Sequence, residues 1–311
     1  MRISVVIATH NRAALLGATL EALCRQQYES GDEVIVVDNR STDATPDVIE
    51  RAARDFSVPF KHLHESEPGK SPALNAGIAA ASGEVLALTD DDVVVAPDWI
   101  PAIRRIFEDP SIALVGGRVD PRWERPAPRW LRVERQDGYS PLASPLALLH
   151  YGEAQELGAR TAVGANLAVR RDVLDAVGGF ATHLGRRSGT LLCGEDHEFC
   201  QRAASAGFRC EYRPEIRVRH WVPAERTRAG YYLRWFFWSG ITNAVLERTA
   251  GQPSAGWIVP PYLVRRLLTA PVAALGRTIA GRPADAAAAV MDAAFVLGSI
   301  SQRVSDGWRR R

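Results

Sequence analysis

An apolar run from Glu84 to Thr89 ends in three consecutive aspartates, Asp90, Asp91 and Asp92. Side chains alternate along a strand, so Asp90 and Asp92 are expected to face one way and Asp91 the other. Two carboxylates converging at the C-terminal end of a buried strand suit a hard divalent cation carrying phosphate oxygens. Without a cation the close negative charges repel one another, and desolvation adds to the cost. The alternative is a solvated turn, since Asp is a favoured turn residue. Other residues join the triplet. Thr9 and Arg12 follow the first apolar run, where a helix cap and a surface charge are the ordinary roles. Asp38 ends the second run and is placed either to accept from a base or ribose or to cap a turn around Ser41 and Thr42. Glu195 and Asp196 open a helical segment, where acids are favoured by the helix dipole. The Gly69-Lys70-Ser71 tripeptide is not a phosphate loop, because the required earlier glycine falls at His64 and Pro72 follows directly. Lys70 remains a point charge able to reach a phosphate, or a solvated side chain. His62 and His64 share a strand face without a carboxylate partner, which reads as structural.

The elements that must position these groups alternate regularly over the first 120 residues. Buried strands are predicted at 3–8, 33–38, 60–64, 84–89 and 112–115. Helical spacing covers 11–27, 43–55, 71–82 and 98–107. That alternation predicts a parallel α/β sheet with helices on both faces, and ligands bind such sheets beyond the C-terminal strand ends. Thr9, Asp38 and the aspartate triplet all lie at those ends. From about Asp120 to Tyr151 proline is frequent, and a long irregular connection is expected. Trp123, Trp130 and Tyr139 lie in it, and either stack on a ligand ring or, the better expectation, simply pack. A strand is predicted at 161–170, a short helix at 172–177, a Gly- and Arg-rich mobile stretch at 182–192, a helix at 195–206, and two short strands at 209–212 and 216–219. Helices are expected at 226–250, 259–280 and 283–304.

Composition narrows the function. The chain has 311 residues with 46% apolar content, enough for a sizeable core. A formal charge of +2 argues against a dedicated nucleic-acid binder. Only Lys61 and Lys70 are lysines. The four cysteines, Cys24, Cys193, Cys200 and Cys210, show no Cys-x-x-Cys spacing and are expected as reduced thiols. The N-terminus enters a strand without a signal-peptide apolar region, and no apolar stretch is expected to reach spanning length. These readings place the protein in the cytoplasm. Dense aromatics at 231–238 and a basic end at Trp308-Arg309-Arg310-Arg311 leave two readings of the C-terminal helices: a helical cap on the α/β domain, expected of the first, and either that same cap or contact with the inner face of the plasma membrane for the last two.

The motifs, in order, are Ile3 to Arg12 (ISVVIATHNR), Val36 to Asp43 (VVDNRSTD), Asn75-Ala76-Gly77, Thr89 to Asp92 (TDDD), Gly164 to Arg171 (GANLAVRR) and Gly194 to Arg202 (GEDHEFCQR). Any one is weak, but the series resembles the family 2 glycosyltransferases over residues 1 to about 222. That resemblance implies the GT-A fold, a mostly parallel central sheet flanked by helices, with a C-terminal helical extension over 223–311. It implies a nucleotide-binding half at about 1–120 and an acceptor half at about 121–222. It further implies an inverting transfer from a nucleoside diphosphate sugar, UDP favoured with GDP or dTDP as alternatives, to a glycan or lipid-linked acceptor. Thr9, Arg12, Asp38, Lys70, Asn75, Asp90 and Asp91 would meet the donor nucleotide. Asp92 and His220 would hold Mn²⁺ or Mg²⁺, Asn166 and Glu195 would serve the acceptor or sugar, and Asp196 would be the general base. His220 also reads as a buried core histidine. Two alternatives stand beside this expectation. A sugar nucleotidyltransferase would want a glycine-rich loop after the first strand, where Ala8 to Arg12 stands instead. A degenerate binding module would not need Asp92 and Asp196.

Overall fold

The computed structural model describes residues 1–158, 160–185, 190–249 and 259–309. The N-terminal half is β1 (Ile3–Thr9), α1 (Ala13–Cys24), β2 (Glu33–Asp38), α2 (Thr45–Ala52), β3 (Phe60–His64), α3 (Lys70–Ala80), β4 (Val85–Asp90), β5 (Val93–Val95) and α4 (Trp99–Ile106). There follow β6 (Ile112–Trp123), a small hairpin of β7 (Glu134–Arg135) and β8 (Gly138–Tyr139), β9 (Gln155–Glu156), β10 (Asn166–Arg170), α5 (Arg171–Val177), α6 (Glu195–Ser205) and β11 (Arg209–Val222). Three long helices end the described chain: α7 (Ala229–Thr249), α8 (Pro261–Ile279) and α9 (Pro283–Arg309).

The central sheet runs β3-β2-β1-β4-β10-β6-β11-β5, with β9 beside β11. Its first four strands are parallel, as the alternation predicts. Central parallel strands are covered on both faces and therefore need unbroken apolar runs. β1, β2 and β4 supply them, with Val5, Val6, Val34 to Val37 and Val85 to Leu88 fully buried. Beyond β4 the sheet becomes mixed. β10 is antiparallel to both neighbours, and β5 is antiparallel to β11.

The strand expected at 161–170 begins only at Asn166. Two larger differences from the sequence expectation share one cause. β6 continues past Val115 to Trp123, into the proline-rich stretch. The two short strands expected near 209 and 216 are one strand, β11. β6 and β11 pair in parallel from Ile112 and Arg209 to Trp123 and Val222, with a shift in register between Arg213 and Arg217. Each strand extends because the other is there, a long-range partnership that local pattern does not carry. Past Gly116 β10 no longer accompanies β6, whose other edge keeps only an isolated bridge from Val119 to Leu149, and Pro121 lies beyond that bridge opposite β11. Of the expected mobile stretch, residues 186–189 lie outside the described residues, as do Ala250 of the expected third-from-last helix and Arg310 and Arg311 of the basic end.

The expectation that no segment reaches spanning length is corrected by α9. Within Pro283–Asp306 an 18-residue window has a mean hydropathy of 1.4, with 39% of that window buried, enough by length and composition to cross a membrane. Its aspartates do not interrupt it, because Asp285 sits in the first turn and Asp292 pairs with Arg266 of α8.

A buried acid fixes the origin of the sheet. Glu33 opens β2 and is almost fully buried. Its Oε1 accepts from Ser4 Oγ at 2.7 Å and from the Ser82 amide at 2.6 Å, and Lys61 Nζ lies 2.7 Å from Oε2. Burial alone would raise its pKa, but the Lys61, Ser82 and Ser4 partners outweigh burial and lower it to about 2. A depressed carboxylate contributes stability that is complete above its unfolded value near 4.5 and is lost as pH falls toward 2. We predict that Glu33→Gln costs about 1–3 kcal/mol in urea unfolding at neutral pH. The gap between variant and parent should close as the pH falls from 4.5 toward 2. A constant gap would place the loss in packing and not in the charge.

Candidate active site

The C-terminal ends of β1 and β4, the start of α3, the start of α6 and the end of β11 open onto one cleft of about 1280 Å³. Thr9, Arg12, Lys70, Asp90, Asp91, Asp92, Glu195, Asp196 and His220 all line it. These are nine of the twelve residues singled out from the sequence.

The aspartate triplet is arranged differently from a continued strand. β4 stops at Asp90, and Asp91 and Asp92 form a turn into β5. The alternation that would send Asp91 to the opposite face therefore ends, and all three carboxylates reach the cleft. Asp91 Oδ2 accepts from Thr9 Oγ1 at 2.8 Å, which ties the tips of β1 and β4 together. Burial, together with the neighbouring charge of Asp92, pushes the Asp91 carboxyl up to about 7. Asp90 Oδ1 meets Lys70 Nζ at 2.5 Å.

Asp92 and His220 are brought together by β-pairing. His220 lies opposite Val93 in the β11–β5 ladder, and the Trp221 amide donates to the Asp92 carbonyl at 2.9 Å. His220 Nε2 stands 3.2 Å from Asp92 Oδ1, and both side chains are nearly inaccessible. The contact is not an aligned hydrogen bond: Asp92 Oδ1 and His220 Nδ1 are both buried without a hydrogen-bond partner. Burial would raise the Asp92 pKa, yet His220, Arg226 and Arg12 hold it well below the usual carboxylate range. One ligand atom from each of Asp90, Asp92 and His220 falls within 4.8 Å of the others. Two carboxylates and an imidazole, with buried polar atoms left unsatisfied, fit a divalent cation of the Mn²⁺ or Mg²⁺ kind.

Asp196 is held from the other side. Gly194 adopts φ 103° and caps α6, which places Glu195 and Asp196 in its first turn. Asp196 Oδ2 accepts from the Gly164 amide at 2.8 Å, while Oδ1 is buried without a hydrogen-bond partner. A Cβ on Gly164 would stand 2.8 Å from that free oxygen, so only glycine lets the backbone hold the carboxylate here. Burial raises the Asp196 pKa against the opposing pull of Lys70 and the Gly164 hydrogen bond. Burial and the Asp196 charge likewise raise Glu195 to about 7. Burial would depress Lys70, but Asp90, Asp196 and Glu195 together raise it. Lys70 is thus the cation shared between the two acidic groups, a more specific place than a solvated side chain or a lone phosphate contact.

Three candidates do not line the cleft. Asp38 accepts from the Ser41 amide at 3.0 Å, the turn-capping role. Asn75 exchanges two hydrogen bonds of 2.8 Å with the backbone of Phe180, which ties α3 to the segment after α5. Asn166 is fully buried and satisfied: it accepts from Trp99 Nε1 at 2.8 Å and donates to the Arg118 and Ile216 carbonyls at 2.9 Å each. That bracing stands where a sugar contact was expected. Trp123, Trp130 and Tyr139 are also outside the cleft; Trp130 packs edge-on against Tyr232, and Tyr139 donates to Asp120.

Sequence reasoning missed several lining residues. Asn39 accepts from the Gly69 amide and donates to the Glu65 and Glu67 carbonyls, so it shapes the loop that presents Lys70. It stood beside Asp38, which drew the attention. Arg226 is buried and faces Asp92. Trp235, Thr242, Asn243 and Leu246 of α7 and Phe295 of α9 form a wall of the cleft. Trp235 lies in the aromatic stretch at 231–238 but nothing local gives it a place at the site, and Thr242, Asn243, Leu246 and Phe295 carry no local signal, because all of them reach the site only through tertiary packing.

Comparison with known proteins agrees with this architecture. The model of the family described as "Glycosyl transferase family 2" matches residues 4–178, more than half of the chain. A glucosyl-dolichyl phosphate glucuronosyltransferase of Haloferax volcanii is 28% identical over 265 residues, covering 82% of this chain and 80% of that one. Glycosyltransferase AglE of the same organism is 28% identical over 219 residues, covering 69% of this chain and 65% of that one. Among solved structures, the mannosyltransferase PcManGT of Pyrobaculum calidifontis, in complex with GDP-Man and Mn²⁺, superposes with a TM-score of 0.60 at 21% identity, covering 99% of this chain and 75% of that one. At that identity the superposition speaks for a shared fold. With the family match spanning the strands and turns that carry Thr9, Lys70 and the aspartate triplet, the chain belongs to glycosyl transferase family 2 and is a glycosyltransferase.

Proposed function

We propose that this enzyme transfers a sugar, with inversion, from a nucleoside diphosphate sugar to a hydroxyl of a glycan or lipid-linked acceptor. One observation carries the proposal: Asp196, with a free buried oxygen, and the Asp90–Asp92–His220 group share a single cleft. The donor's nucleotide side is assigned to Thr9, Arg12 and the Asn39–Arg40 turn, and its diphosphate to the Asp90–Asp92–His220 end. The glucuronosyltransferase relative, whose name includes dolichyl phosphate, supports the lipid-linked class of acceptor. UDP, GDP and dTDP donors are the panel to screen.

Asp196 receives the proton of the acceptor hydroxyl as that oxygen attacks the anomeric carbon, while the bond from that carbon to the diphosphate oxygen breaks. The Gly164 amide fixes the Asp196 carboxylate, and its elevated basicity improves it as a proton acceptor. Arg12 and Arg226 bring positive charge to the end of the cleft where negative charge builds on the leaving group. A divalent cation on Asp90, Asp92 and His220 would add charge neutralisation of the departing diphosphate. Lys70 keeps the acids of the two ends from destabilising one another. The Thr9 hydroxyl orients Asp91 at the rim.

Four outcomes are expected. Asp92→Asn should lower donor turnover about 10²–10³-fold, and excess Mn²⁺ should not restore it; turnover unchanged after both substitution and chelation would exclude the metal-dependent reading. Asp196→Asn should abolish transfer while donor binding, read by nucleotide-induced thermal shift, persists. In the parent enzyme kcat/KM should rise with pH as Asp196 loses its proton, with a half-point above the ordinary carboxylate value of 3.8. A profile flat down to pH 4 would show that no raised carboxyl acts as the base. Finally, Gly164→Ala should lower kcat while leaving the donor KM nearly unchanged, because its Cβ meets Asp196 and not the nucleotide side.

A further inference from the structure

The three C-terminal helices are layered, with α9 packed against both α7 and α8. α8 lies outermost and buries little beyond Leu263 and Ala270. On another face it carries Val264, Leu268, Val272, Leu275 and Ile279, spaced four, four, three and four apart, which is one stripe of a helix. These side chains are 44, 71, 74, 63 and 79% exposed. Single exposed aliphatics are ordinary, but five in register form a continuous apolar surface that water does not favour.

The charge that α8 itself carries has one sign. α8 contains no acidic residue, and Arg265 and Arg277 are exposed on it. Arg266 is the exception, being paired with Asp292. Just past Ile279, Arg282 joins Arg132 and Arg135 around a hollow of about 440 Å³, where Glu134 and Asp285 are the acids. A helix with an apolar stripe, guanidinium flanks and no carboxylates of its own complements an anionic interface. A second copy of the chain laid face to face would set these arginines against one another. Membrane insertion of α9 is opposed by its packing. The Gly298 backbone lies against the Phe237 carbonyl, that of Gly240 lies against Phe295, and Phe295 itself walls the cleft. Drawing α9 into a bilayer would dismantle the active site.

We propose that α8 lies in the plane of an anionic bilayer surface, with Val264, Leu268, Val272, Leu275 and Ile279 among the upper acyl chains and Arg265 and Arg282 on lipid phosphates. α7 and Phe295 then stand between membrane and cleft, one helix layer away. Binding is read without turnover, so its outcome is separate from that of the catalytic reading.

The test is flotation of the full chain with vesicles of phosphatidylglycerol and phosphatidylcholine, against pure phosphatidylcholine. The parent should float with the anionic vesicles and be released by high salt. The pair Leu268→Glu and Leu275→Glu should lower the bound fraction about tenfold or more, with melting temperature and donor turnover unchanged. Should that pair fail to fold, Arg265→Gln with Arg282→Gln provides the second variant, and should weaken anionic binding while leaving the apolar stripe intact. A parent that stays at the bottom, or stripe variants that float as the parent does, overturns the proposal. So does a gel-filtration dimer that the stripe variants dissociate when no vesicle binding is found.

Discussion

Five carboxylates in one water-poor cleft are the constraint around which the fold is arranged. Asp90, Asp91 and Asp92 come from the tip of β4, and Glu195 and Asp196 from the start of α6. Placed together without compensation they would either protonate or open the structure. The compensation is distributed. Lys70 stands between the two acidic groups, Arg12 and Arg226 face the triplet, and His220 abuts Asp92. Each cation comes from a different element, so the site's electrostatic balance exists only when β1, α3, β11 and the chain after it are all in place. The raised Asp91, Glu195 and Asp196 carboxyls are the residue of that incomplete balance, and in Asp196 the leftover basicity is what a proton acceptor requires.

Much of this was legible in the residues themselves. The unbroken apolar runs of β1, β2 and β4 announce a covered parallel sheet, and polar residues at their C-terminal ends announce a binding rim. Asp92 was marked this way, Lys70 by its Gly-Lys-Ser tripeptide and Asp196 by the motif resemblance, and all three line one cleft. What local pattern could not deliver was pairing. β6 and β11 each read as short because each is completed by the other, across nearly a hundred residues. The fate of Asp91 turned on a single position, the point where β4 ends and a turn begins, which alternation alone does not reveal.

The residues that failed as site candidates failed for one reason. Asp38, Asn75 and Asn166 are polar, occur within recognisable motifs and lie near the cleft, yet their hydrogen-bonding groups meet protein partners. Motif membership marked them as substrate contacts, whereas the hydrogen bonds they make here brace the frame around the cleft. Whether such a residue touches a substrate or holds the frame depends on which way its amide or carboxylate turns, and that is decided by partners distant in sequence, such as Trp99 for Asn166. Conversely, the aromatic stretch that holds Trp235 was visible but not its place at the site, and Thr242 and Asn243 are ordinary residues of a helix until the chain folds back over the sheet.

The near-contact of the α7 and α9 backbones bears on when the protein becomes competent. At Gly240 and Gly298 any side chain would overlap a carbonyl oxygen of the opposite helix, so these two helices can mesh only after both have been made. Phe295 reaches the cleft through that mesh. During synthesis on the ribosome the α/β sheet, with its aspartates and Asp196, will have emerged long before, open to solvent on one side. The cleft therefore closes only once α9 has joined α7, well after the residues of its floor have been made.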